Sequence, residues 1–114
     1  MRKDREQLIE EIIDSGNKII GRIVFTQDYL SFEAFSIGLI SIINEKPAEI
    51  IRFDCSIREK VNVHRFYNNP PTKHYLDLEK TPETALELWN IIRANWHEYL
   101  SKYKENHKIT DKVI

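Results

Sequence analysis

A chain of 114 residues, 41% apolar and 31% charged, is sized for one globular domain with a hydrophobic core of its own. Its 17 Lys and Arg against 18 Asp and Glu give a formal charge of −1, which argues against a protein that coats nucleic acid nonspecifically but leaves room for a local basic patch. The single cysteine, Cys55, excludes an intramolecular disulfide and a Cys-based zinc site, and no apolar run reaches the ~18 residues that a membrane span needs.

The basic start of MRKDREQLIEEIID is interrupted by acids, and no apolar signal core follows, so a cytoplasmic location is expected. The same stretch predicts a helix over about residues 4–15. Leu8, Ile9, Ile12 and Ile13 share one face, Asp4 and Gln7 form a capping-box pattern, and Gly16 is placed to end the element. Glu6, Glu10, Glu11 and Asp14 would form its solvated side.

From residue 18 the period changes to two. KIIGRIVFTQ, rich in β-branched residues, predicts a strand over about 18–27, with Ile19, Ile23 and Phe25 on one side and Ile20, Arg22 and Val24 on the other. FEAFSIGLISII predicts a longer strand over 32–43. Its two apolar faces, Phe35–Ile37–Leu39–Ile43 and Phe32–Ala34–Ile40–Ile42, suggest a central position covered on both sides. The turn residues of NEKPAE lead to strands at about 49–55 and 61–67, and a short one follows NNPPT at about 73–78.

The last element is a helix over about 82–105. Thr81 suits the N-cap, Pro82 the first helical position and Glu83 the first turn. Ala85, Trp89, Ile92, Trp96, Tyr99 and Tyr103 recur at alternating spacings of four and three, widened by Leu88 and Leu100 into an apolar seam. Trp89, Trp96, Tyr99 and Tyr103 are therefore read as core or interface residues, and 107–114 as a tail. Together the elements predict a single α+β domain. A four- to five-stranded, meander-like antiparallel sheet carries an N-terminal helix and a long C-terminal helix.

The densest chemistry lies in EIIRFDCSIREKVNVHRFY, residues 49–67. Folded as a hairpin with Ser56–Lys60 as the loop, it sets Phe53 against Val63 and Ile51 against Arg65 on a mostly apolar face that includes Cys55. The other face pairs Asp54 with Asn62 and Arg52 with His64; a one-residue slip would put Phe53 and Cys55 beside Asn62 and His64. The converging Arg52, Asp54 and His64 are the candidate catalytic residues. Arg52 would contact phosphate or carboxylate, and His64, oriented by Asp54, would exchange a proton. The wet face of an antiparallel sheet carries the same residue types. Asn62, Lys73 and His74 are weaker binding candidates. A metal at His64 and His74 would need Asp54 or Asp77 as a third ligand, and neither a metal nor a cofactor is expected. Cys55 reads as core rather than nucleophile, and His97 and His107 as solvent-exposed. RFYNNPPTKHY mixes cations and rings in a way that suits single-stranded RNA or, equally, edge strands packed on a helix.

IIRFDCS, then VNVHRFY, then ALELWNIIRANWHEYLSKY resemble a family of small prokaryotic proteins of unknown function. That family pairs an R-[FWY]-D strand and a His-containing strand with a C-terminal N-W-x-x-Y helix, here Asn95, Trp96 and Tyr99. The likeness spans about residues 20–104. It departs after Asp54, where members often read D-x-A-H-G and this chain reads DCSIREK. A shorter similarity runs to TumE-type toxin components of toxin–antitoxin pairs, through the R-[FY]-D strand and PPTKH. The reading favours a small non-enzymatic interaction module, forming a homodimer or binding a protein partner. The alternative it carries is a toxin-like protein acting on RNA or nucleotide through the Arg52, Asp54 and His64 face. No membrane association is expected.

Overall fold

Residues 5–110 are described by the structure, a computed structural model. Six strands, β1 (Glu6–Asp14), β2 (Asn17–Phe25), β3 (Phe32–Ile43), β4 (Lys46–Cys55), β5 (Asn62–Arg65) and β6 (Thr72–Tyr75), precede one helix, α1 (Pro82–Asn106). Every strand pairs antiparallel with the next, so the sheet order is the chain order, β1 to β6. The α+β class, the antiparallel meander and the long C-terminal helix agree with the sequence reading. Among the described residues the strand count is six rather than four to five.

The expected N-terminal helix is a strand. Both periods fit QLIEEIID: the pairs Leu8–Ile9 and Ile12–Ile13 lie four apart, as a helix needs, yet alternation puts one member of each pair on each face of a strand. What decides is the partner. A two-residue connection, Ser15–Gly16, returns the chain along β2 with Glu6 opposite Val24 and Ile12 opposite Lys18. The Asp14 carboxylate accepts from the Gly16 amide and the Asn17 side chain, at 2.9 Å each, which closes a hairpin turn where the sequence predicts a helix C-terminus. The Asp4 cap lies outside the described residues.

At the β3–β4 connection Asn44 and Glu45 both take positive φ, 53° and 70°, the pattern of a two-residue hairpin turn whose twist matches the strands. Strand β4 therefore starts at Lys46, earlier than expected, and carries Pro47 opposite Ile42.

One face of the sheet packs under α1. Ile19, Phe35, Ile37, Leu39, Ile51, Phe53 and Val63 are buried there with Ala85, Leu88, Trp89 and Ile92 of the helix. The helix starts as the sequence predicts: the Thr81 hydroxyl accepts from the Thr84 amide at 3.1 Å. Trp89 lies directly over Gly21 and donates from Nε1 to Glu11 at 2.6 Å, while Arg93 grips the same carboxylate through Nε and Nη2 at 2.8 and 2.7 Å. Glu11 is thus no solvated acid; it ties the first strand to the helix.

These donors, Arg93 first and then Trp89, hold the Glu11 carboxyl at about 2, well below its ordinary 4.5. A depressed carboxyl stabilises the fold fully above its unfolded value and loses that contribution as it protonates. Urea midpoints should therefore fall as pH drops from 4.5 toward 2. Glu11→Gln should flatten that part of the profile, and parallel profiles would show that the link does not matter for stability.

Among the described residues the opposite face has no helix against it. Leu8 and Ile12 are 72% and 62% exposed, and Ile42 is 51% exposed. Strand β3, expected to be covered on both sides, is covered on one. No helix among the described residues is long and apolar enough to cross a membrane.

Candidate functional site

The hairpin register is the one the hydrophobic pattern favours: Ile51 opposite Arg65, Arg52 opposite His64, Phe53 opposite Val63 and Asp54 opposite Asn62. Cys55 is buried on the helix side, and burial pushes its thiol pKa up, as befits a core residue. Arg52, Asp54 and His64 meet on the uncovered face. Arg52 donates from Nε to Asp54 at 2.7 Å and from Nη1 to Glu49 at 2.8 Å, and it stands opposite Gly38 of β3. His64 Nε2 stands 3.4 Å from the same Asp54 oxygen. The Phe66 ring stacks on His64 and lies 5.2 Å from the Arg52 guanidinium.

This arrangement changes what the cluster can do. Burial opposes the guanidinium's charge, but the hydrogen bonds and charges of Asp54 and Glu49 outweigh it and raise the Arg52 pKa. With two carboxylates and a ring around one cation, an incoming phosphate would have to displace acids and meet their repulsion. Phe66 lies on the face where alternation places it, opposite the Ile50 position, and Glu49 is the member that sequence reasoning missed. A bulge in β4, where the register shifts between Leu39 and Ile40, brings Glu49 within reach. Spacing alone carries no sign of it.

Of the weaker candidates Lys73 shares this face, opposite His64, but none is bonded to the side chains of Arg52, Asp54 or His64. Asn62 is wholly buried, and its amide donates to the Asp54 and Lys60 carbonyls at 3.0 Å each and to Glu59 at 3.3 Å, so it organises the loop rather than facing water. The Lys73 amine is held by Glu59 at 2.7 Å, which also accepts from Tyr75. His74 pairs with Val63, not His64, and its Nδ1 meets Arg65 at 2.9 Å on the helix side of the sheet. The two histidines therefore lie on opposite faces. Among the described residues no group of three or more His, Cys, Asp or Glu is placed to hold a metal ion.

Within the aromatic seam Trp89 is buried, while Trp96, Tyr99 and Tyr103 are half-buried against the core. Tyr99 stacks on Tyr67, and His107, expected in solvent, stacks on Tyr103 and contacts the Phe66 carbonyl at 2.9 Å. The rings of RFYNNPPTKHY are thus largely engaged in packing, with Tyr75 left 59% exposed. Comparison with family models, curated proteins and solved structures found no match to this chain.

Proposed function

We propose that this protein is a small, non-enzymatic interaction module, self-associating or binding a protein partner. The observation that carries the reading is the uncovered sheet face. Ile12, Ile40 and Ile42 line one hollow of about 230 Å³ there, beside Lys18 and the β1–β2 turn. The charges on the face are answered within it, Lys18 by Glu10, Arg22 by Glu6 and Arg52 by Glu49 and Asp54. An aliphatic surface ringed by neutralised charge suits another protein better than a polyanion.

Leu8→Asp with Ile12→Asp should weaken self-association or partner binding by about tenfold or more, while stability moves by no more than about 1 kcal/mol, since both side chains are exposed. Sedimentation and chemical denaturation measure the two effects. Association that survives the double variant would place the binding surface elsewhere and sink the reading.

A second reading, action on RNA or nucleotide, has the 3.4 Å His64–Asp54 contact in its favour. It predicts RNA cleavage or nucleotide turnover that His64→Ala abolishes without unfolding the chain, and inactivity of the wild-type protein on both substrates would remove it.

A further inference from the structure

Strand β1 is nine residues long and pairs with β2 alone, so its outer row of N–H and C=O groups has no strand partner among the described residues. The other edge is guarded differently. Strand β6 has four residues, follows Pro70 and Pro71, and carries Lys73, three of the devices that keep an edge from pairing with another chain. Strand β1 has no proline and no cation, and its register shift comes only near its end, between Ile12 and Asp14.

Beside that open edge, on the helix side of the sheet, lies a pocket of about 350 Å³. Its floor is the buried set Ile23, Ile37, Ala85 and Trp89, and its mouth is flanked by Ile9, 41% exposed, and Leu86, 62% exposed. The pocket's charged groups, Glu11 and Arg93, are spent on each other and on Trp89 and Asn90, so it offers shape and apolar surface rather than a polar anchor. A strand added about 4.8 Å beyond β1 would set the residue opposite Ile9 on this side, next to the pocket. An edge that gives main-chain bonds beside a pocket that takes an alternate side chain is the arrangement of strand-addition recognition.

We propose that β1 docks an extended, basic segment of a partner protein as a seventh strand, with one aliphatic or aromatic side chain of that segment entering the pocket between Ile9 and α1. The charge pattern selects this occupant. Strand β1 holds four acids and no base; Glu11 is spent on α1, but Glu6 and Glu10 each meet their cation, Arg22 and Lys18, through one oxygen and from the inner side of the edge, which leaves the outer side acidic. A second copy is disfavoured: the antiparallel register that matches Leu8 with Ile12 also sets Glu10 against Glu10 and Glu6 against Asp14. The main-chain edge and the pocket lie apart from the uncovered face, which shares with this docking mode only the carboxylates of Glu6 and Glu10.

The probe is a labelled peptide, acetyl-Lys-Val-Lys-Leu-Lys-Val-Lys-amide, followed by anisotropy, by the emission of Trp89 in a Trp96→Phe background and by hydrogen exchange of the β1 amides. Binding should slow exchange in β1, and Ile9→Glu and Leu86→Glu should each weaken it by about tenfold. Circular dichroism checks that the variants fold. Leu8→Asp with Ile12→Asp should leave the pocket contribution intact: replacing the probe's Leu by Ala should weaken binding to this variant as much as to wild type. That separates failure here from failure of the uncovered-face reading. Equal binding of a version with Pro in place of Leu would overturn strand addition. Equal binding of a version with Glu in place of Lys would overturn the charge argument. Self-association of the unmodified protein that Ile9→Glu abolishes would make the occupant a second copy and overturn the assignment.

Discussion

Gly21→Ala is expected to destabilise the protein by about 1–3 kcal/mol, the range for forcing extra atoms into a packed core. A Cβ at this position would stand 2.5 Å from the Trp89 ring. Such a clash is mild when the neighbour can swing away, but this indole is buried and its Nε1 is tied to Glu11 at 2.6 Å. Moving it would loosen the contact between β1 and α1 as well as the packing. The expected loss exceeds the ~0.4–1 kcal/mol that a Gly-to-Ala change gains by restricting the unfolded chain. Urea denaturation of Gly21→Ala, of Trp89→Leu and of the double variant tests the argument. The double variant should be more stable than the two separate losses predict, because the smaller side chain vacates the space that the new methyl needs. Additive losses would mean that the ring and the glycine are not coupled.

The same contact shows why parts of the fold were legible in the sequence and others were not. The C-terminal helix announces itself through local signals: Thr81, Pro82 and Glu83 at one end and a seam with helical spacing behind them. The β4–β5 register was legible because only one alignment keeps Phe53, Cys55 and Val63 together. The first strand was not, because QLIEEIID satisfies both periods and its state is set by a partner, β2, and by Glu11 reaching a helix 78 residues further along the chain. Nothing near Glu11 in sequence marks it as the acceptor for Trp89 and Arg93.

The candidate site divides along a similar line. Which residues share the uncovered face follows from alternation, and Arg52, Asp54 and His64 do share it. What each is bonded to does not follow. Glu49 reaches Arg52 through a bulge, and Glu59 reaches Lys73 and Tyr75 from the loop. Those two acids turn an apparently cationic face into one whose charges are already answered. That is why the proposal names a protein surface rather than a phosphate for this face.

Asn62 carries the second large effect. It sits wholly buried at the mouth of the β4–β5 loop, and its amide nitrogen donates to the Asp54 and Lys60 carbonyls and to the Glu59 carboxylate. Asn62→Asp keeps the shape and replaces that donor by an oxygen facing three acceptor oxygens. An ionised aspartate there would be a buried, unpaired charge, a defect of about 3–5 kcal/mol. Burial and the surrounding oxygens would favour the protonated form, so the carboxyl's folded pKa would lie above its unfolded value. The sign follows directly: the deficit is full above that raised pKa and shrinks as pH falls through it toward the unfolded value, where a protonated oxygen can donate one bond again. Denaturation of the variant against wild type between pH 8 and pH 4 should therefore show a gap that narrows on acidification. Asn62→Ala, which removes the donor without adding charge, should lose less, about 1–3 kcal/mol, with no such narrowing. A gap for Asn62→Asp that stays constant with pH would show that the position opens to water, and would return Asn62 to the wet face where alternation alone had put it.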